Sequence, residues 1–129
     1  MVIDTSALIA LLLDEPEAEA FRVAIEDDET RLLSTGTLLE ATLVIEARKG
    51  EAGGRELDLL VQKAAFTVVP VDEEQVSEAR RAWRRFGGGH HEAALNFGDL
   101  FAYALARTSR EALLFKGRDF QQTDIARVL

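Results

Sequence analysis

Short apolar runs alternate along this chain with longer stretches in which apolar residues recur every three or four positions. The short runs predict β-strands at residues 2–3, in TRLLST, in FTVVPV and in EALLF. The longer stretches predict helices over residues 7–13, from Pro16 onward, over 37–49 and 55–65, from DEEQ to about residue 86, and in GDLFAYALARTS. Strands that alternate with helices indicate an α/β fold with a mostly parallel sheet.

Several polar residues stand where helix caps are expected. Asp72 followed by Gln75 is a cap pattern, Thr37 with Glu40 reads as a capping box, and Asp99 is placed to cap the helix that follows it. The tail DFQQTDIARVL predicts a short helix and one further edge element, with Asp124 serving local turn geometry.

Composition limits the class of protein. With 129 residues and 47% hydrophobic residues, the chain is expected to form a single domain over 1–129. It has no cysteine, which excludes disulfides and thiolate metal sites and is compatible with the cytoplasmic location that we expect. Asp4 and Asp14 interrupt the first apolar stretch, so neither a signal peptide nor a membrane span is predicted.

The chain is acidic, with a formal net charge of −8 and a pI near 4.8. This balance is untypical of a general nucleic-acid coat, which is usually basic. A group of acids that binds a divalent cation would account for part of the charge. The arginines of residues 80–85 are interpreted as a solvated helix face in preference to an RNA contact.

Four acids occupy positions at which α/β proteins place functional groups. Asp4 follows the first strand, Asp119 follows the last, and Glu40 and Asp99 lie in early turns of helices. Each has an ordinary interpretation as a cap or turn residue, yet all four could meet at the carboxyl edge of a parallel sheet. Two carboxylates about 4 Å apart repel by roughly 4 kcal/mol at an effective dielectric near 20, which Mg²⁺ or Mn²⁺ would relieve.

Glu40 is expected to head an apolar stripe that faces inward. At helical spacing its neighbours on the same face are Leu43, Val44 and Ala47. An inward carboxylate at the top of such a stripe favours a functional role over simple capping.

The ordered set of motifs resembles a known family. VIDTSAL, the lone acid Glu40, LNFGDLFAYALA and LLFKGRDFQQTDI resemble, in that order, the VapC toxins among the PIN-domain ribonucleases. The resemblance implies a three-layer α/β/α domain with a central, mostly parallel sheet. It also implies a Mg²⁺-dependent endoribonuclease, with Mn²⁺ as a possible substitute, that cleaves single-stranded or looped RNA by means of a metal-activated water.

The resemblance also assigns roles to residues. It implies that Asp4, Glu40, Asp99 and Asp119 are catalytic and that Asp4 and Asp99 hold the metal. Ser6 matches the small hydroxyl residue beside the first acid.

Thr5, like Ser6, is expected to support the first acid with its hydroxyl group. Many relatives carry a Thr in a T-R-N-like stretch before the last acid, where this chain has LLFKGRDF. Lys116 and Arg118 are therefore candidates for contacts with RNA phosphates. The implied partners are a VapB-type antitoxin, an RNA substrate and a second copy of the chain, without a membrane.

Three other functions remain open at this level. A phosphoacceptor module of the receiver type would use Asp72 as acceptor, but the chain lacks paired acids after the first strand. A phosphatase of the haloacid dehalogenase type lacks its D-x-D motif, because residue 6 is Ser. A structural protein whose acids are all caps would tolerate Asp4→Asn.

Histidine and aromatic residues are interpreted conservatively. His90 and His91 lack the i, i+4 spacing of a helical metal site, which favours loop solvation or a substrate contact. The aromatic residues are assigned to the core or to a subunit contact; they are Trp83, Phe86, Phe97 and Tyr103.

Overall fold

The computed structural model describes residues 1–89 and 91–129, with strands and helices in alternation. The elements in chain order are β1 Val2–Ile3, α1 Thr5–Leu12, α2 Ala18–Glu26, β2 Leu32–Ser34, α3 Thr35–Lys49, α4 Glu51–Lys63, β3 Thr67–Val69, α5 Glu73–Phe86, α6 Phe97–Ser109 and β4 Leu113–Leu114. Across the two described ranges, the helices are all too short or too polar to cross a membrane.

The four strands form one sheet in the order β3-β2-β1-β4. Each neighbouring pair is parallel, and Val2 of the central strand is in register with Leu32 on one side and Leu113 on the other. All four predicted strands are therefore confirmed. Strand β1, at the start of the chain, is one of the two inner strands of the sheet. Its carboxyl end therefore lies near the middle of that edge of the sheet.

Helices cover both faces of the sheet. Ile3 contributes to a core that contains residues of α1, α2, α3 and α4, whereas Val2 contributes to a core with α5 and α6. Successive strand residues point to opposite faces, which explains why these two neighbours belong to different cores. The expected three-layer α/β/α architecture is confirmed.

The long helix α3 begins differently from the prediction. Ser34 is its N-cap, and the Ser34 side chain accepts a hydrogen bond from the Gly36 amide at 3.2 Å. Thr37 is completely buried within the helix, so the predicted capping box of Thr37 with Glu40 is wrong. The cap moves to Ser34 because β2 runs into α3 without a loop, and Glu40 is left available for another contact.

Other helix starts also differ from the prediction, while one is as predicted. Helix α2 starts at Ala18, two residues after the predicted Pro16. Helix α4 starts at Glu51, directly after Gly50, whose φ of +66° turns the chain sharply. Helix α6 is capped by Asn96, so Asp99 is three residues inside the cap and is not the cap itself. The cap at Asp72 is confirmed.

The tail contains turns where a short helix is predicted, so that part of the prediction is wrong. The further edge element is present as an isolated parallel bridge between Leu113 and Arg127. Asp124 does more than shape a local turn. Its carboxylate accepts a hydrogen bond from the Tyr103 hydroxyl and forms an ion pair with Arg85 at 3.2 Å. These contacts fasten the tail to α5 and α6 and replace local helix formation.

Candidate functional site

Asp4 lies at the point where β1 ends and α1 begins. One carboxylate oxygen, Oδ2, accepts hydrogen bonds from the Ser6 amide at 3.0 Å and the Ser6 hydroxyl at 2.6 Å. Asp4 is the N-cap, so α1 starts at Thr5, two residues earlier than predicted. The residue is only 4% exposed, and its Oδ1 has no hydrogen-bond partner among the described residues. One of the two oxygens of this buried carboxylate is therefore not needed for the hydrogen bonds that begin α1.

Burial raises the pKa of Asp4 from 3.8 to about 6. The hydrogen bonds from Ser6 act in the opposite direction, and the nearby Glu40 carboxylate raises the pKa further. A charged Asp4 is thus held in an unfavourable environment that a cation would improve.

Glu40 projects from α3 against the first turn of α6. A Cβ atom added to Gly98 would lie 1.5 Å from Glu40 Oε2, which shows that the carboxylate occupies the space beside this glycine. Gly98 is buried and directly precedes Asp99. The close approach brings the acid of α3 to the acid of α6, and a side chain at residue 98 would prevent it.

Only Val44 of the predicted Glu40 stripe packs against the core, and it is partly buried. Leu43 is 64% exposed and Ala47 is also exposed, whereas the buried face of α3 carries Ala41 and Ile45. The inward-stripe prediction is therefore wrong for Leu43 and Ala47. Glu40 lies at the margin between the two faces, where it contacts α6 instead of the core.

Asp99 is fixed by reciprocal hydrogen bonds with Asn96. The Asp99 amide donates to Asn96 Oδ1 at 3.0 Å, and the Asn96 amide donates to Asp99 Oδ2 at 2.9 Å. Burial raises the pKa of Asp99 from 3.8 to about 7, against the lowering effect of the Asn96 amide. Asp4, Asp119 and Glu40 each add to the increase through their negative charges.

The four predicted acids therefore share one electrostatic environment, although they come from four separate parts of the chain. Asp119 is exposed, in the turn after β4, whereas Asp4 and Asp99 are buried and Glu40 is half-buried. Among the described residues, three or more acidic or histidine side chains nowhere approach closely enough to form a complete set of metal ligands. The oxygen donors fit a hydrated divalent cation, which keeps several waters and uses few carboxylates. The unpartnered Asp4 oxygen is the observation that supports this fit.

Lys116, at the end of β4, contacts two neighbouring segments. Its backbone amide donates to the Ser6 hydroxyl at 2.9 Å. Its ammonium forms ion pairs with Glu15 and with Glu17, the latter at 3.3 Å, and the Glu15 carboxylate raises the pKa of Lys116. The predicted phosphate contact of Lys116 would require this ammonium to leave two carboxylates.

The remaining predicted supporting residues flank the same edge. Thr5 is buried and its hydroxyl has no partner among the described residues, while Arg118 is exposed in the turn before Asp119. His90 lies outside the described residues. His91 accepts a hydrogen bond from the Ala93 amide at 3.0 Å through Nδ1.

Asp72 is not placed as a phosphoacceptor. Its carboxylate caps α5 by accepting a hydrogen bond from the Gln75 amide at 2.8 Å. The receiver alternative therefore loses its only candidate acceptor to an ordinary structural role.

An apolar groove of about 700 Å³ lies between α5 and α6, and Asn96, which holds Asp99, is among its lining residues. The predicted burial of the aromatic residues holds for Phe86 and Tyr103, whereas Trp83 and Phe97 line this groove and are 41% and 76% exposed. The core alternative is wrong for these two residues, and the subunit contact remains the prediction for them.

Sequence reasoning missed Gly98 and Asn96 as parts of the site. A signal for Gly98 was present, because glycine is unfavourable inside a helix and needs a packing reason there. Asn96 stands three residues before Asp99, the spacing of a capping box.

Comparison with known proteins identifies the class to which this fold and site belong. A family model described as PIN domain matches residues 1–126, so the chain belongs to the PIN-domain family. Ribonuclease VapC30 of Mycobacterium tuberculosis is 59% identical over 128 residues, which cover 99% of this chain and 98% of that protein. Ribonuclease VapC of Mycolicibacterium smegmatis is 55% identical, with 99% of each chain covered. Within its family the chain is thus of the VapC type.

Solved structures agree with this fold. The crystal structure of Mycobacterium tuberculosis VapC20, described as a sarcin-ricin loop cleaving toxin, has a TM-score of 0.79 at 17% identity and covers 97% of this chain and 95% of that one. VapBC-1 from nontypeable Haemophilus influenzae has a TM-score of 0.73 at 19% identity, covering 98% and 94%. At these identities the likeness concerns the fold.

Proposed function

We propose that this chain is a Mg²⁺-dependent endoribonuclease that acts as the toxin of a VapBC pair. The observation that carries the proposal is the shared environment of Asp4, Glu40, Asp99 and Asp119, in which two buried carboxylates have strongly raised pKa values. Relatives named as ribonucleases, at 55–59% identity over nearly the whole chain, support the same activity.

Asp4 and Asp99 would hold the metal, and Glu40 and Asp119 would support it through waters. When bound, Mg²⁺ supplies a water of lowered pKa and neutralises charge at the attacked phosphate. Ser6 holds Asp4 through Oδ2, whereas Oδ1 has no hydrogen-bond partner among the described residues. The fold thus fixes the orientation of the first carboxylate before a cation arrives.

Glu40 or Asp119 would orient the attacking water or accept its proton. Attack in line on phosphorus breaks the bond to the 3′ oxygen and leaves a 3′-hydroxyl and a 5′-phosphate. The substrate would be single-stranded or looped RNA, because an RNA backbone held within a duplex is less able to enter a recessed acidic pocket.

A VapB-type antitoxin is the proposed protein partner. An acidic pocket with buried carboxylates suits a basic side chain inserted from such a partner, which would neutralise the same charges as the metal. The expected homodimer is also part of this proposal. The groove with exposed Phe97 and Trp83 supports it, because large apolar patches on proteins usually mark contact surfaces.

The decisive experiment incubates the purified chain with a total RNA pool, with Mg²⁺ or with EDTA, and maps the cut ends. Asp4→Asn tests the site, and Asp58→Asn, an exposed acid of α4, is the matched control. We expect discrete cuts that require the metal, persist in the Asp58 variant and disappear in the Asp4 variant.

Absence of cutting with any divalent cation would contradict the nuclease proposal. Equal cutting by the wild type and the Asp4 variant would show that cleavage does not depend on the acidic site. Inhibition of the cuts by a co-purified small protein encoded beside this chain would support the antitoxin proposal.

A further inference from the structure

The segment after β4 is fastened at both ends, and Asp119 lies between the two attachments. At its start, Lys116 forms ion pairs with Glu15 and Glu17. At its end, Phe120 is buried and its ring contacts Phe115 with 5.1 Å between ring centroids. The exposed turn that carries Asp119 therefore has a defined position relative to the sheet.

The same lysine is linked to the first acid of the site. Its amide donates to the Ser6 hydroxyl at 2.9 Å, and that hydroxyl donates to Asp4 Oδ2 at 2.6 Å. The Asp4 amide in turn donates to the Leu114 carbonyl at 3.0 Å, two residues before Lys116. Displacement of Lys116 would thus disturb Asp4 through Ser6 and Asp119 through the chain.

The two carboxylates that hold Lys116 come from a different element. Glu15 and Glu17 lie in the connection between α1 and α2, about 100 residues earlier in the chain. The side chains of these ion pairs are 29–41% exposed, and ion pairs near the protein surface add little to global stability. Outer partners of metal-site residues do commonly control metal affinity and activity.

We propose that Lys116, held by Glu15 and Glu17, is a positioning residue of the acidic site. The ion pairs keep the segment 116–119 against the α1–α2 connection, which maintains the Ser6 link to Asp4 and the place of Asp119. The inference rests on the proposed function. It replaces the phosphate-contact role for the Lys116 ammonium, because that ammonium is already neutralised by two carboxylates.

The test combines Lys116→Met, the pair Glu15→Gln with Glu17→Gln, all three changes together, and Lys116→Arg. Arg22→Met is the control, since Arg22 also forms ion pairs with two nearby carboxylates, those of Asp14 and Glu19, which are more exposed. Measurements are the affinity for Mn²⁺ alone by calorimetry, kcat and KM on an RNA oligonucleotide that the wild type cleaves, and the urea midpoint.

We expect Lys116→Met and the double glutamine variant each to lower Mn²⁺ affinity and kcat by about tenfold, with KM and the urea midpoint little changed. The triple variant should be no worse than either, because all three changes remove the same link. Lys116→Arg and Arg22→Met should behave like the wild type.

Different failures separate the two proposals. If the wild type cleaves RNA and binds Mn²⁺ but the variants match it, the positioning role is wrong and the nuclease proposal stands. If Lys116→Met alone raises KM and weakens the salt dependence of binding, Lys116 contacts phosphate instead. A wild type that neither binds Mn²⁺ nor cleaves RNA overturns both.

Discussion

Replacement of Asp4 by Asn should stabilise the metal-free protein while it abolishes cleavage. Burial raises the Asp4 pKa from 3.8 to about 6, so the folded protein disfavours the charged form. A shift of about two pKa units corresponds to roughly 3 kcal/mol, at about 1.4 kcal/mol per unit. Asn keeps the oxygen that caps α1 but carries no charge, and the variant should therefore escape this penalty.

The sign of the effect depends on pH. Because the folded-state pKa is raised, the contribution of Asp4 to stability is fully present below about pH 4 and is lost as the pH rises through about 6. The variant should match the wild type near pH 4 and exceed it by about 3 kcal/mol at pH 8. Urea unfolding with EDTA at both pH values measures this difference, with Asp58→Asn as control.

Mg²⁺ should remove most of this difference at pH 8. A ligand present at 100 times its Kd adds about 2.7 kcal/mol to the stability of a protein that binds it only when folded. The wild type should gain this amount and the Asp4 variant should not. The reasoning would be refuted if the metal-free variant were less stable than the wild type at pH 8. It would also be refuted if the stability difference between the two proteins were the same at pH 4 and pH 8.

Three further substitutions probe other parts of the structure. Gly98→Ala places a Cβ 1.5 Å from Glu40 Oε2, so the carboxylate must move, and RNA cleavage should fall by about 100-fold in a gel assay. Asn96→Ala removes the α6 cap and should lower the free energy of unfolding by about 1 kcal/mol in urea. Tyr103→Phe removes the hydrogen bond to Asp124 and should lower stability by about 1–2 kcal/mol, with faster hydrogen exchange in the tail and an unchanged cleavage rate.

Each of these expectations has a clear counter-result. Full activity in Gly98→Ala would show that the position of the Glu40 carboxylate does not matter for cleavage. An unchanged urea midpoint in Asn96→Ala would remove the capping box as a stabilising feature. Loss of cleavage in Tyr103→Phe would mean that the tail takes part in the reaction.

Much of the architecture could be predicted because the relevant signals are local. The four strands were found from short β-branched or apolar runs, and the parallel arrangement followed from their alternation with helices. The cap at Asp72 was also predicted, because a cap involves residues three positions apart. The position of Asp4 at the end of β1 is predictable for the same reason, whereas Asp119 lies five residues beyond Leu114, the last residue of β4.

Other features depend on which elements pack together, and no local pattern contains that information. The sequence indicates an acid at Glu40, but only the contact between α3 and α6 brings that acid against Gly98. The prediction of a capping box at Thr37 is wrong because β2 continues into α3 without a loop, which makes Ser34 the N-cap.

The sequence by itself determined the layered α/β/α fold, the family and the identity of the four candidate acids, because periodicity, caps and ordered motifs are written in neighbouring residues. Tertiary structure alone decided that Lys116 joins Glu15 and Ser6, and that Tyr103 holds Asp124. These contacts join residues 21 to 110 positions apart, and a bond at that separation exists only when the sheet and its two helical layers bring the partners together.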